Sequence, residues 1–410
     1  MGNPCHSPHS DPWELVDEAG ADLRAIVIAV GYRLNIFGFL AGQGIDGNFG
    51  FWDQRCALEW VRDHISAFGG DPHQITLGGL SAGALSAHYQ LQYELLHGSG
   101  SMPLFRNIFM CSNAISVRER QNIMLWTSLT ILNLRCNLNQ FKNVKFWRLR
   151  RFGVKANNIA ANLQLEDVFD LFNIDPLLSV QEKIDRLRNV PSNNLIAKFS
   201  SLRLDTFRPV TDGDFVAGDM LKLLRDGTVA RLFKDRGMRI MIGETESENY
   251  YPEAICRKLL ASYGMCREQE VGQTYGLITS DVQVRAPIRA FVKTLADVGV
   301  PLHNIFRYRS QFRAKCISKL YSPELGVTHS VDMCVWWYLV RFGYEQNETV
   351  AARDWLSRSL IPLVNGAPLR SECSTIKQYM EFTPNAEIRA VDDVYWDRMI
   401  TLSEICAETV

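Results

Sequence analysis

The chain has 410 residues, 47% of them hydrophobic and 22% charged, with 44 Lys and Arg against 45 Asp and Glu for a formal charge of −1. That composition excludes a disordered, collagenous or long coiled-coil protein, and the near-neutral balance supplies no global field for nucleic acid or an anionic membrane surface. The longest apolar runs, residues 25–30 and 334–340, are far too short to cross a bilayer.

In chain order, the N-terminal stretch Met1-Gly-Asn-Pro-Cys5-His-Ser-Pro-His-Ser10 has neither a basic n-region nor an apolar h-region, so no signal peptide is visible and the compartment stays open. It reads like a loop rather than a beginning. Ala25-Ile-Val-Ile-Ala-Val30 is a continuous apolar run rich in β-branched residues and is expected to form a buried parallel strand. Over residues 53–68 the period becomes helical, with Cys56, Ala57, Trp60, Val61, Ile65 and Phe68 on one apolar stripe. Gly69-Gly70-Asp71-Pro72 stops that helix. A short strand follows at 75–77, then a glycine-rich turn at 78–83 and a second helix near 84–95. Later strands are expected at 239–242 and 304–308. Strand, helix, strand, tight turn, helix is the rhythm of a mostly parallel α/β sheet. Neither an internal repeat nor a convincing domain boundary appears, so one domain over 1–410 is expected.

Ten cysteines without a C-x-x-C give no zinc framework and are too sparse for a disulfide scaffold, although Cys256 and Cys266 could close a small loop in an oxidising compartment. One sequon, Asn347-Glu348-Thr349, matters only in a secreted protein. Between Arg120 and Lys155 there are eight basic residues and no acidic one, and Phe141, Phe146, Trp147 and Phe152 interleave with the basic cluster at 142–155. Such a segment can stack and neutralise single-stranded nucleic acid. A solvated insertion accounts for it as well, and the neutral whole-chain balance favours that reading, so no nucleic-acid partner is expected.

Gly79-Leu80-Ser81-Ala82-Gly83 fits G-x-S-x-G. A strand enters it and a helix leaves it, the setting a nucleophile elbow needs to lift Ser81 Oγ above a sheet. The helix N-terminus favours negative charge developing beside that oxygen.

Several strings taken together resemble one family: Gly31-Tyr-Arg-Leu-Asn-Ile-Phe-Gly-Phe39, Gly47-Asn-Phe-Gly-Phe-Trp-Asp53-Gln, Ala57-Leu-Glu-Trp-Val61, Ala67-Phe-Gly-Gly-Asp-Pro72 and the elbow. They are similar to the core of the type-B carboxylesterases, the cholinesterase-like α/β-hydrolases. The likeness is dense over 26–86 and thinner through Leu104-Phe-Arg and Phe-Arg-Pro-Val-Thr-Asp-Gly-Asp-Phe at 207–215. Residues 117–165 do not share it and are expected to be an atypical insertion or divergent segment. The resemblance implies an α/β-hydrolase fold, a mostly parallel central sheet with helices on both faces. It also implies ester hydrolysis by a Ser-His-Glu triad through an acyl-enzyme, with a small-molecule ester as partner and neither cofactor nor metal.

A serine nucleophile needs a base and a group to orient it, in the chain order serine, acid, histidine. The resemblance puts the acid at Glu248 in Ile242-Gly-Glu-Thr-Glu-Ser-Glu248-Asn-Tyr, where Asn249 replaces the usual Gly. Glu244 and Glu246 stand close by, and the residues alone do not separate the three. The base is implied at His329 in Gly326-Val-Thr-His329-Ser-Val-Asp332, similar to the family's Gly-x-x-His-Gly-x-Glu, with Ser330 for Gly and Asp332 for the acid. The other histidines (6, 9, 64, 73, 88, 97 and 303) lack that context and read as structural.

For the oxyanion hole, the N–H of Ala82 is the expected donor. The family adds a His-Gly-Gly-Gly loop, and no such string occurs here; His97-Gly-Ser-Gly100 follows the elbow and is rejected. One missing donor costs about 2.7–4 kcal/mol in the transition state. The resemblance therefore implies a chain lacking the family's N-terminal strands, and a catalytically impaired or silent homologue with a binding role is the alternative function.

Overall fold

The computed structural model describes residues 12–17, 23–98, 102–113, 155–199, 207–248, 277, 280–319, 323 and 326–408. These divide into two compact units, the smaller from residues within 30–59 and 139–220 and the larger from residues within 3–29, 60–138 and 221–410.

In the larger unit six strands form one sheet in the order β1 (Thr76–Leu80), β2 (Asn107–Cys111), β3 (Arg239–Thr245), β4 (Ile305–Ser310), β5 (Gln378–Phe382) and β6 (Ile388–Asp392). β1 to β5 run parallel, and β6 pairs antiparallel with β5. Spatial order follows chain order, so each parallel neighbour is reached by a crossover with room for helices. β3 is buried from Ile240 to Thr245, and Ile108, Met110 and Cys111 of β2 are buried completely. Such continuous apolar strands suit a sheet covered on both faces.

Helix Ala82–His97 connects β1 to β2 and buries Ala84, Leu85, Ala87, His88, Leu91 and Leu95. Its buried positions recur every three to four residues, as one helical face requires. Around β4 and β5 an aromatic core gathers Tyr308, Trp336, Trp355, Phe312 and Phe382, with Tyr308 to Trp336 ring centres at 5.0 Å and Trp355 to Phe382 at 5.1 Å. Truncating one such ring to alanine costs about 3–5 kcal/mol.

The smaller unit closes on Ile36, Leu40, Leu165, Val168, Phe169, Ile184, Leu187 and Leu195. Helix Val180–Arg188 starts on a capping box, in which the Ser179 hydroxyl accepts the Glu182 N–H and Glu182 accepts the Ser179 N–H. Two family-like strings meet here: the Asn48 side-chain amide donates to Val210 O at 2.7 Å and to Asp212 Oδ2 at 2.6 Å, and the Phe51 ring packs at a tilt with its centre 5.3 Å from that of Phe215.

The strands expected at 75–77, 239–242 and 304–308 are present and slightly longer. The strand expected at 25–30 is not. Residues 23–34 carry no regular structure, and Ile26, Val27 and Ile28 are 46%, 37% and 41% exposed. A β-branched run becomes a strand only when a neighbouring strand takes up its backbone groups. β1 is the edge of the sheet among the described residues, so 25–30 is not paired there.

The first predicted helix begins earlier, at Phe49, and passes into a 3-10 turn at Ile65–Phe68. Its buried line runs through Phe51, Leu58, Val61 and Ile65. Cys56, Trp60 and Phe68 of the predicted stripe face outward, where Trp60 stacks on His64 at 4.8 Å. Of the atypical segment, residues 117–154 lie outside the described residues, as do Asn249 and the Cys256 and Cys266 pair; from Lys155 the chain is helical to Leu171.

Candidate active site

Ser81 follows β1 directly and caps helix Ala82–His97 with φ 57° and ψ −115°, a conformation a non-glycine residue adopts only under strain of about 1–3 kcal/mol. Several contacts hold it there. The Ser81 N–H donates to Cys111 O at 2.9 Å, Leu85 N–H donates to Ser81 O at 3.0 Å, and the Asn113 amide donates to the same carbonyl at 3.2 Å.

Gly79 is required by close approach. A Cβ there would lie 2.2 Å from the backbone carbon of Gly83. Gly83 itself has open space in its Cβ direction, so of the two glycines close approach requires only Gly79. Ala82, the expected oxyanion donor, is the first residue of the helix, where the helical pattern does not consume the N–H groups.

Of the three candidate acids Glu244 lies in β3, Glu246 and Glu248 follow its end, and the three differ in burial and contacts. Glu244 is buried and doubly bonded to Arg289, Nη1 to Oε2 at 2.7 Å and Nη2 to Oε1 at 3.1 Å. Burial opposes its ionisation, but the Arg289 guanidinium, helped by Arg285, outweighs it and holds the carboxyl down to about 2. Glu246 is exposed. Glu248 is fully buried; Oε1 accepts the Thr245 N–H at 2.6 Å, and Oε2 lies 2.6 Å from His329 Nδ1.

Ser247 forms a parallel bridge with Thr328, and its N–H donates to Val327 O at 3.1 Å, which clamps the acid-bearing turn to the histidine-bearing one. His329 keeps 32% of its side chain exposed while Glu248 keeps none. A buried carboxylate on Nδ1 favours the imidazole tautomer that carries its proton there. Ser330, which replaces the family's glycine, sits at φ 74°, the left-handed region that explains why glycine is usual there.

Glu248 and His329 are thus joined directly, and Ser81 stands at the same carboxyl end of the parallel strands, where α/β sheets place their sites. The other described histidines do other work. His88 is buried 4.3 Å from the Phe291 ring, and burial pushes it down to about 3, so it is neutral. Among the described residues no group of three His, Cys, Asp or Glu side chains is arranged to hold a metal.

Sequence reasoning passed over Asn113 and Cys111, which follow from β2, itself not predicted. It noted Asp332 only as a replacement for the family's acid.

A strained serine on a strand-to-helix turn and a buried carboxylate on a histidine define a serine hydrolase of the α/β-hydrolase class. Residues 6–364 match the carboxylesterase family. An uncharacterized esterase/lipase of Schizosaccharomyces pombe is 33% identical over 434 residues, covering 97% of this chain and 73% of that relative. A carboxylic ester hydrolase of Gibberella moniliformis is 29% identical, over 94% of this chain and 71% of its own length. An acetylcholinesterase of Gallus gallus is 54% identical over 71 residues, 17% of this chain and 9% of the relative. The chain belongs to the carboxylesterase family, the serine carboxylic-ester hydrolases of the α/β-hydrolase fold.

Proposed function

We propose that this chain hydrolyses carboxylic esters with Ser81 as nucleophile, His329 as general base and acid, and Glu248 as the residue that orients His329. Ser81 Oγ attacks the ester carbonyl while His329 Nε2 takes its proton. The tetrahedral oxyanion faces the Ala82 N–H at the positive end of helix Ala82–His97. His329 returns the proton to the leaving alcohol, and water repeats the cycle on the acyl-enzyme. Glu248 stabilises the imidazolium at each stage.

The observation that carries this reading is the 2.6 Å contact of the buried Glu248 with His329 Nδ1. Glu244, the rival acid four residues earlier in β3, is already bonded to Arg289. No observation favours the silent homologue. Among the described residues no helix is long and apolar enough to cross a membrane, and the proposed partner is a small-molecule ester. The test is pre-steady-state hydrolysis of p-nitrophenyl esters: a burst of nitrophenol matching the enzyme concentration is expected, and a burst surviving in Ser81→Ala would refute the assignment.

A further inference from the structure

The end of β2 grips Ser81 at both of its backbone polar groups. The Ser81 N–H donates to Cys111 O at 2.9 Å, and the Ser81 carbonyl accepts the Asn113 side-chain amide at 3.2 Å. The same carbonyl takes the Leu85 N–H at 3.0 Å, the four-residue bond with which any helix beginning here would start. The Asn113 bond is different in kind. It comes from outside the helix and fills the oxygen's second lone pair.

Asn113 is 2% exposed. Ser112 before it turns the chain at φ 56° and ties it to β3, its N–H donating to Gly243 O at 2.8 Å. A non-glycine residue stays in that left-handed region only when its surroundings hold it there. The Ser81 carbonyl and the Ala82 N–H are opposite ends of one planar peptide. Whatever fixes the direction of the carbonyl therefore fixes the direction of the N–H assigned to the oxyanion. A donor on the carbonyl also polarises the peptide and strengthens its N–H as a donor.

We propose that Asn113 is a positioning residue for the ester hydrolysis assigned above. By donating to Ser81 O it orients and polarises the Ser81–Ala82 peptide, and so makes the Ala82 N–H a better oxyanion donor. The inference rests on that functional reading. Asn113 acts through the backbone and moves no proton. Its contribution grows as charge develops on the substrate oxygen, so it stabilises the tetrahedral state more than the bound ester.

The test is hydrolysis of p-nitrophenyl esters per mole of phosphonate-labelled Ser81, beside inhibition by a trifluoromethyl ketone, for wild type, Asn113→Ala and the isosteric Asn113→Asp. The ketone forms a tetrahedral adduct on a serine, with an oxyanion in the place of the ester's. Asn113→Ala should lower kcat by roughly 3- to 10-fold, the weight of one neutral hydrogen bond, with KM within about twofold of wild type. The inhibition constant of the ketone should rise by the factor by which kcat/KM falls. Asn113→Asp, read where its carboxylate is charged, sets an acceptor against the carbonyl and should lose more than the alanine variant. In protein labelled with ¹³C-serine and ¹⁵N-alanine, the Ala82 amide resonance should shift between wild type and Asn113→Ala. A residue that only stabilises the fold would lower the melting temperature or the labelled fraction and leave kcat per labelled site, the inhibition constant and the Ala82 resonance unchanged. That result overturns the inference, and so does a loss confined to KM. A wild type that hydrolyses no ester and takes no label at Ser81 refutes the functional reading instead. The Ala82 resonance still decides the Asn113 coupling in that case, and an unmoved resonance overturns it.

Discussion

Glu244 in β3 and Glu248 just beyond its end stand four residues apart, and both are buried, but their partners differ in kind. Glu244 is held by two hydrogen bonds from Arg289, which in turn grips Asp393 at 2.8 Å, and Asp393 also takes Arg307 at 2.5 Å. Its negative charge is compensated permanently. Glu248 has no arginine in its described contacts; it meets a backbone N–H and a histidine whose charge appears only when a proton arrives. Burial therefore does not mark a catalytic acid. What marks it is the charge left for a titratable partner to supply.

The largest effect tests the chemistry proposed for Glu248. Ser81→Ala or His329→Ala should lower kcat by about 10⁶, and the double variant by little more, because the two act as one unit. Additive losses measured by single-turnover hydrolysis would break the pairing. Next comes the arginine cluster. Arg289→Met leaves Glu244 and Asp393 facing each other without their shared cation and should cost about 3–5 kcal/mol in urea unfolding. Activity per phosphonate-labelled site should stay within about threefold of wild type. A selective loss of turnover would place the cluster inside the mechanism.

The two sites should also respond to acid in opposite directions. The Glu244 carboxyl is lowered to about 2 from 4.5, so the stability it contributes is complete above 4.5 and is lost as pH falls toward 2. The stability advantage of wild type over Glu244→Gln should shrink by on the order of 3 kcal/mol across that window. Asp332 is raised to about 6 from 3.8, so the native state holds its proton longer than the unfolded chain does. Its ionisation costs stability as pH rises from 3.8 through 6, and wild type should lose roughly 1–3 kcal/mol relative to Asp332→Asn over that interval. Thermal melts of the two variants at matched pH values read both signs, and equal signs would contradict the contrast.

How far the sequence reveals this arrangement depends on how local each determinant is. The elbow at Ser81 was legible because strand, Gly79, serine and helix are contiguous, and Gly79 meets the backbone of Gly83 only four residues on. The three-way ambiguity among Glu244, Glu246 and Glu248 was not resolvable from residue types. The answer depends on Arg289, 45 residues from Glu244, and on His329, 81 residues from Glu248. The family likeness pointed to Glu248 where local physics did not.

β6, Ile388-Arg-Ala-Val-Asp392, has two adjacent apolar residues in place of a strict alternation and no fully buried position, so its five residues carry little strand signal. β2 offers only five residues without a clear period and was passed over. Residues 25–30 show the opposite failure, since composition announced a strand whose existence depends on a partner that local pattern cannot supply.

The most direct measurement is kcat per labelled Ser81 for Glu248→Gln and Glu244→Gln side by side. The account predicts a fall of about 10⁴ for Glu248→Gln, as expected when the base loses its orienting carboxylate. For Glu244→Gln it predicts turnover within about threefold of wild type with lowered stability. Near-normal turnover in Glu248→Gln together with collapse in Glu244→Gln would contradict it.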